Sequence, residues 1–280
     1  MVTRFAPSPT GLLHKGHAYS ARMAFDAARQ AAGRFLLRIE DIDTTRCKPE
    51  FTDAIYEDLR WLGINWEQPV RIQSEHFPDY AATLEHLKAL GVVYPCFCTR
   101  KDIQAEIAKS PAAPHGPDGP IYPGTCRPLS SDERAARIAA GEPHAWRLDL
   151  KAALTITGHE LTWQDEHRGR IKATPDELGD VVLARKDTPT SYHLSVVHDD
   201  ALQGISHVVR GEDLWHATHV HVVLQKLLGY PTPTYSHHGL LTDEHGKRFA
   251  KRDKSLTLRA IRESGVSADE LISSFNVSLG

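Results

Sequence analysis

The stretch "RFAPSPTGLLHKGHAYSARMAF", Arg4 to Phe25, decides the fold of this chain. Residues 2–6 predict a short β-strand, and the loop that follows is too rich in proline to be helical. From Gly16, apolar residues recur with a helical period that Gly33 closes. A loop that leaves a strand and enters a helix is a place where α/β sheets bind phosphate groups, because unpaired backbone N–H groups face the ligand there.

Strands and helices alternate along the first third of the chain. "FLLRIE" (residues 35–40) predicts a buried strand, Pro49 begins a helix, and a second helix follows Pro78. This order predicts right-handed crossovers and a parallel sheet of the Rossmann type.

The residue pattern changes after Tyr94. A long Pro/Gly-rich loop is followed by "HAWRLDL" and "ELTWQDEHRGRIKA", which predict the strands of a smaller mixed module. "DVVLAR" and "ISHVVRG" predict a return to the main sheet, and "HDD" (His198–Asp200) is expected to end a strand. We therefore expect two halves of one sheet, residues 1–93 and 176–245, an insertion at 94–175, and a C-terminal region, 246–280, with a basic loop and a short helical stem.

Composition restricts the class of protein. The 280 residues are 41% apolar with a net charge of −3, so a sizeable core is possible and any RNA contact needs a local basic face. No apolar segment approaches the length of a membrane span, and four cysteines do not make a disulfide framework. We expect a monomeric cytoplasmic protein without membrane association.

Two charged motifs lie at opposite ends of the predicted fold. His14 and His17 can direct two ring N–H donors at one point, where they suit the charge that develops on a phosphorus under attack, and Gly16 lets the backbone approach a nucleotide. "GKRFAKRD" (246–253) follows the last predicted strand, and its Lys251 can act as a mobile positive charge on phosphates.

"RFAPSPTG…HKGH" and "RFAKR" resemble the two signature motifs of class I aminoacyl-tRNA synthetases, in the form typical of the glutamyl and glutaminyl branch. The resemblance implies that ATP with Mg²⁺ activates glutamate as an adenylate. It places His14, Gly16, His17, Arg248 and Lys251 at ATP. The second motif departs from the family at Arg248 and Ala250, where lysine and serine are usual, and we expect altered loop closure.

The same resemblance implies a glutamate pocket at the ends of predicted strands. Arg4 and Arg210 would be its cations, Glu40 would face the ammonium, and Ser8 and Tyr192 would supply hydroxyls. The full predicted set is Arg4, Phe5, Ala6, Pro7, Ser8, Glu40, Tyr192 and Arg210.

Three cysteines, Cys96, Cys98 and Cys126, flank the Pro/Gly-rich loop. Thiolates at this spacing suit one tetrahedral Zn²⁺ that would tether the loop, so the insertion is predicted to contain zinc. The fourth ligand could be Tyr122, His115 or water. The residues alone favour His115, whereas "YPGTCR" resembles the Cys-Cys-Tyr-Cys site of a synthetase-like family and favours Tyr122.

About 28 residues follow "AKR", and we expect no anticodon-reading domain among them. The resemblance is then to short paralogues of glutamyl-tRNA synthetase that activate glutamate without tRNA. These paralogues attach it to queuosine at the wobble position of the tRNA(Asp) anticodon stem-loop. Two alternatives stay open: a truncated glutamyl-tRNA synthetase that charges the tRNA 3′ end, and a non-catalytic RNA-binding descendant.

Overall fold

A computed structural model describes residues 1–109, 115–116, 119–241 and 257–275. The strands are numbered in chain order: β1 Val2–Phe5, β2 Arg34–Ile39, β3 Glu67–Ile72, β4 Val93–Cys96, β5 His115–Gly116, β6 Gly119–Pro120, β7 Ala145–Leu148, β8 Thr162–Asp165, β9 Gly169–Lys172, β10 Val182–Ala184, β11 His207–Gly211 and β12 Thr234–His238. The helices are α1 Lys15–Gln30, α2 Pro49–Trp61, α3 Phe77–Ala89, α4 Arg100–Lys109, α5 Ser131–Ala139, α6 Leu150–Thr157, α7 Tyr192–Leu202, α8 Trp215–Leu228, α9 Leu258–Glu263 and α10 Ala268–Ser273.

The main sheet consists of two parallel groups that meet edge to edge. In one group β1 pairs with β2 and β2 with β3; in the other β11 pairs with β12 and β12 with β8. The groups join at β1 and β11, where the Ser206 N–H donates to the Val2 carbonyl oxygen at 3.1 Å. The predicted parallel α/β sheet is confirmed.

Helix α1 lies over this junction and packs against both β1 and β11. Its buried face carries Ala18, Ala21, Ala24 and Ala28, whose small side chains let the helix approach the sheet closely. The N-terminus of α1 is therefore held above the centre of the sheet, which is the position that the opening loop requires if it is to face a ligand.

A second sheet is antiparallel, with the order β10–β7–β4. The prediction that residues 182–184 belong to the main sheet was wrong, because β10 pairs with β7. The prediction that β8 and β9 belong to a separate module was also wrong. Trp163 on β8 packs against Tyr235 on β12, with ring centroids 5.3 Å apart, and this contact draws the β8–β9 hairpin into the main sheet.

His198–Asp200 lie inside helix α7 and do not end a strand. A short apolar run with polar ends is compatible with either element, so periodicity alone cannot decide between them. No helix within the described ranges is both long and apolar enough to cross a membrane.

Candidate active site

A cavity of about 560 Å³ lies at the ends of β1, β2, β11 and β12 and beside the start of α1. Its walls bring together residues that are far apart in the sequence. Every predicted glutamate-pocket residue and the predicted residues of the opening loop line it, namely Arg4, Phe5, Ala6, Pro7, Ser8, His14, Gly16, His17, Glu40, Tyr192 and Arg210.

His14 and His17 form the N-terminal cap of α1. The Gly16 N–H donates to His14 Nδ1 at 3.1 Å, and the His14 N–H donates to His17 Nδ1 at 3.2 Å. Because both Nδ1 atoms accept, the proton of each neutral ring resides on Nε2. The ring centroids are 3.8 Å apart. A side chain at position 16 would place its Cβ 3.1 Å from the His14 ring, so the glycine makes room for the imidazole.

Arg4 and Glu40 belong to a buried network of ion pairs. Asp200 accepts from Arg4 Nε at 3.0 Å and from Arg38 Nη1 at 2.8 Å, and Arg38 Nη2 donates to Glu40 at 3.0 Å. Arg38 is completely buried. Burial opposes the ionisation of Asp200, but the charges of Arg4 and Arg38 outweigh it and lower its pKa. Burial raises the pKa of Glu40, although Arg38 and Arg4 act against this. The network links the Glu40 carboxylate to Arg4 through Arg38 and Asp200.

Asp199, next to Asp200, accepts hydrogen bonds from residues on and beside β3 and α3. Arg71 Nε donates to this carboxylate at 2.7 Å, Gln73 Nε2 at 2.8 Å and Tyr80 Oη at 2.9 Å. Since Asp199 and Asp200 are neighbours on α7, one helix turn fixes both carboxylates against the β1–β2 half of the sheet.

Arg210 is held differently. Its guanidinium donates to His237 Nε2 at 3.2 Å, to Tyr192 Oη at 3.3 Å, to the Leu214 carbonyl oxygen at 3.1 Å and to Thr218 Oγ1. All four acceptors are neutral, and within the described ranges no carboxylate forms an ion pair with Arg210. Its positive charge is available to a ligand in the cavity.

The basic loop predicted to contact ATP lies outside the described residues, and with it Arg248 and Lys251. The residues that flank it are described. Leu241 lines the cavity, and Thr257 forms a β-bridge with His14, supported by the Leu258 N–H that donates to the Leu13 carbonyl oxygen at 2.8 Å. Leu241 thus lies at the cavity, and Thr257 lies beside His14, which lines it.

The cysteine cluster lies beside the antiparallel sheet. The Sγ atoms of Cys96, Cys98 and Cys126 lie within 4.8 Å of one another, and all three are free cysteines. Tyr122 Oη is 3.3 Å from Cys96 Sγ and accepts from the Cys126 N–H at 2.9 Å. Burial raises the pKa of Cys98 to about 12. The His115 side chain lies outside the described part of the structure.

Sequence reasoning missed Arg38, Asp199, Asp200, Asp165 and His237 as parts of the site. A signal was present for the first three. An arginine inside the apolar "FLLRIE" and two carboxylates after "SVVH" need buried partners, because unpaired charges are rarely buried. No pattern in the sequence indicated Asp165 and His237, because their pairing depends on the alignment of β12 with β8.

Comparison with known proteins identifies the fold and the family. The family of class I tRNA synthetases (E and Q), catalytic domain, matches residues 1–277. A glutamyl-Q tRNA(Asp) synthetase of Rhodobacter capsulatus is 52% identical over 277 residues, which cover 97% of this chain and 98% of the relative. A glutamate–tRNA ligase of Aquifex aeolicus is 37% identical over 96% of this chain and 55% of its own length.

Solved structures support the same family assignment. A glutamate tRNA ligase from Elizabethkingia meningosepticum, in complex with its amino acid, superposes with a TM-score of 0.75 at 27% identity, over 90% of this chain and 52% of the other. The enzyme from Elizabethkingia anophelis gives a TM-score of 0.77 at 26% identity, over 95% and 54%. This chain spans about half the length of both. The family predicted from the two motifs is confirmed. The chain belongs to the class I tRNA synthetase catalytic domains of the glutamate and glutamine enzymes, and within them to the glutamyl-Q tRNA(Asp) synthetases.

Proposed function

We propose that this protein activates glutamate with ATP, without tRNA, and transfers it to queuosine at the wobble position of tRNA(Asp). The observation that carries the proposal is that one cavity brings together the two histidines, the Glu40 carboxylate and Arg210, which has no ion-pair partner within the described ranges. The names of the five most similar curated relatives that we compared, all glutamyl-Q tRNA(Asp) synthetases, support it.

Activation joins the α-carboxylate of glutamate to the α-phosphorus of ATP. An oxygen–phosphorus bond forms, the bond to the β-phosphate breaks, and pyrophosphate leaves. We assign to His14 and His17 the donation of Nε2–H groups to the phosphate oxygens, where charge increases in the transition state. Mg²⁺ bound to ATP would supply further positive charge to the phosphates. No covalent bond to the protein is required, so positioning carries most of the catalysis.

The amino-acid pocket separates the charges of glutamate. We assign the side-chain carboxylate to Arg210, because this guanidinium has no ion-pair partner within the described ranges. Glu40, held by Arg38, would face the ammonium, while Arg4, Ser8 and Tyr192 complete the walls. Glutamine would be rejected because its neutral amide leaves the buried Arg210 charge uncompensated.

We assign a phosphate-stabilising role to Lys251, with Arg248 beside it. Support comes from the flanking residues, because Leu241 lines the cavity and Thr257 pairs with His14, which also lines it. The Lys251→Ala substitution is expected to lower glutamate-dependent pyrophosphate exchange about 100-fold, the effect typical of losing one such charge. An unchanged exchange rate would refute the assignment.

We propose that Cys96, Cys98, Cys126 and Tyr122 hold one structural Zn²⁺. Three thiols and a phenol oxygen in mutual contact form a suitable four-ligand set, and the Cys126 N–H donor would stabilise negative charge on the phenol oxygen. We also propose that this cluster and the sheet β10–β7–β4 form an inserted subdomain, whose limits differ from the predicted 94–175 because β10 belongs to it and the β8–β9 hairpin does not.

Metal analysis tests this set. Tyr122→Phe should retain less zinc than wild type after dialysis, whereas Tyr94→Phe, a change to the neighbouring buried tyrosine, should retain all of it. If Tyr122→Phe retained all of its zinc, Tyr122 would not be a ligand, and His115 or water would be the fourth ligand instead.

The second step transfers the glutamyl group. A hydroxyl oxygen of the queuosine cyclopentene diol would attack the acyl carbon, an ester bond would form, AMP would leave, and the hydroxyl proton would pass to solvent. Because ATP and tRNA are its proposed substrates, we place the protein, as a monomer, in the cytoplasm.

Two experiments test the whole proposal. Pyrophosphate exchange should occur with glutamate in the absence of tRNA, and not with glutamine; no exchange would leave a binding-only protein. RNase mapping of tRNA(Asp) charged with labelled glutamate should place the label in the anticodon loop. Label at the 3′ end would instead identify a glutamate–tRNA ligase activity, the function that the Aquifex aeolicus relative carries in its name.

A further inference from the structure

Arg210 is oriented by a row of side chains on three adjacent strands. In the parallel ladder Arg210 on β11 stands opposite His237 on β12, and Tyr235 on β12 stands opposite Asp165 on β8. Side chains opposite one another share a face of the sheet and can touch. His237 is two residues beyond Tyr235 on β12, so both side chains lie on the same face of the sheet. The row therefore runs from Arg210 at the cavity wall, through His237, to Asp165.

His237 has a fixed tautomer. Its Nδ1 lies 2.9 Å from Asp165 Oδ2, so Nδ1 carries the proton and donates to the carboxylate. Its Nε2 then presents a lone pair to the Arg210 Nε–H, at 3.2 Å. The side chains of both His237 and Asp165 are completely buried. Asp165 is itself fixed, because its Oδ1 accepts the backbone N–H groups of His167 and Arg168 at 3.0 and 3.1 Å.

A neutral acceptor has a different consequence from a charged one. A carboxylate in the place of His237 would neutralise Arg210, and a substrate carboxylate would have to compete with it. An imidazole fixes the direction of the guanidinium and leaves its charge in place. Burial, reinforced by the charge of Arg210, lowers the pKa of His237 to about 3, which keeps the ring neutral at physiological pH.

From this geometry we infer that Asp165 and His237 are positioning residues that set specificity. Asp165 fixes the tautomer of His237, and His237 fixes Arg210 so that its uncompensated charge selects a carboxylate side chain over an amide. This inference rests on the proposed function, since it requires glutamate in the cavity.

Two substitutions of His237 separate its two hydrogen bonds. Gln can place an oxygen near the position of Nε2 and keep an acceptor for Arg210. Asn is shorter: it can keep a donor for Asp165 but cannot reach Arg210. Calorimetric titration with glutamate should show a Kd about 10-fold higher for His237→Asn, the effect of losing a hydrogen bond to a charged group, and within about 3-fold of wild type for His237→Gln. The glutamate/glutamine selectivity should fall in parallel.

A matched control removes a buried imidazole from the same aromatic cluster. His219 also contacts Trp163 and Trp215, but its Nδ1 accepts from the Thr174 N–H. The His219→Asn variant should bind glutamate as wild type does. Asp165→Asn, which weakens the tautomer lock, should show an intermediate Kd.

Equal affinity of His237→Asn and His237→Gln, or equal weakening by His219→Asn, would overturn the inference. Binding does not depend on chemistry, so the two levels can be told apart. If the wild-type protein binds glutamate but fails in pyrophosphate exchange, the proposed function is contradicted. The positioning role is then still decided by the Kd values of the variants. Wild-type protein that binds no glutamate contradicts both.

Discussion

The two halves of the main sheet present arginines to one cavity in opposite electrical surroundings. On the ion-pair side, defined by Arg4, Arg38, Glu40 and Asp200, two guanidinium groups meet two carboxylates. On the neutral side, defined by Tyr192, Arg210, Thr218 and His237, one guanidinium meets only uncharged acceptors among the residues that the structure describes.

This difference separates stability from recognition. Buried charges are tolerated when they are paired, and removing one partner of such a pair is strongly destabilising. The ion-pair side is complete without a ligand, so its first role is to fix the shape of the pocket. On the neutral side no carboxylate of the described residues pairs with Arg210, so its positive charge is available to a ligand. We therefore expect substitutions on the first side to lower stability and those on the second to lower glutamate binding.

The largest effect is expected at Asp200. Asp200→Asn leaves Arg4 and Arg38 without their shared carboxylate, and we expect the free energy of unfolding in urea to fall by about 3–5 kcal/mol. The control is Glu67→Gln, which breaks the exposed pair with Arg34 and should have a far smaller effect. Comparable losses in the two variants would show that the buried network is not a stability element.

Substitution of the two pocket arginines should give opposite results. Arg210→Gln is expected to lower kcat/KM for glutamate in pyrophosphate exchange about 100-fold while changing the free energy of unfolding by about 1 kcal/mol. Arg4→Gln leaves Asp200 with one cation fewer and should destabilise the fold by about 3 kcal/mol. If Arg210→Gln were the less stable variant, the division between the two sides would be wrong.

Acidification should affect the neutral side first. His237 has a lowered pKa of about 3, as described above, and burial lowers the pKa of His193, which follows Tyr192 on α7, to about 4. Histidines with lowered native pKa values take up protons preferentially when unfolded. Stability is therefore full above about pH 6.5 and falls as the pH drops, by about 1.4 kcal/mol per pH unit for each histidine. The contribution of Asp200, whose pKa is lowered, is lost only below about pH 4.

The measurement is urea unfolding at stepped pH between about 6.5 and 4. His237→Gln should reduce the slope of the free energy of unfolding against pH by about 1.4 kcal/mol per pH unit, which corresponds to one proton. A slope identical to that of wild type would mean that His237 is not buried in its neutral form.

The smallest effect is expected at the edge of the ion-pair side. Gln203 Oε1 accepts from Arg38 Nη1 at 2.9 Å, so it is a neutral partner of the ion-pair side. Gln203→Ala should lower the free energy of unfolding by about 1–2 kcal/mol, the contribution of a hydrogen bond to a charged group, with no change in the Kd for glutamate. A weakened Kd would extend the recognition surface to the ion-pair side.

Much of the fold could be predicted from local pattern. The opening loop lies between β1 and α1 as predicted, and β2, α2 and α3 follow within a few residues of their expected limits. Glycine, proline and apolar period fix such elements because they act over a few residues. Strand partners were predicted less well: β10 and the β8–β9 hairpin formed pairings that their own residues do not specify.

The sequence by itself determined which chemical groups line the described part of the cavity, because the first motif and the strand-terminal arginines, Arg4 and Arg210, are recognisable as residue types at characteristic spacings. Only the tertiary structure decided what those groups do to one another. The placement of Asp200 on a helix beneath Arg4, and the alignment of His237 with Arg210, depend on contacts between segments far apart in the chain. Since the electrical state of a buried arginine is set by its neighbours in space, chain position could identify both cations but not show which of them has a carboxylate partner among the described residues.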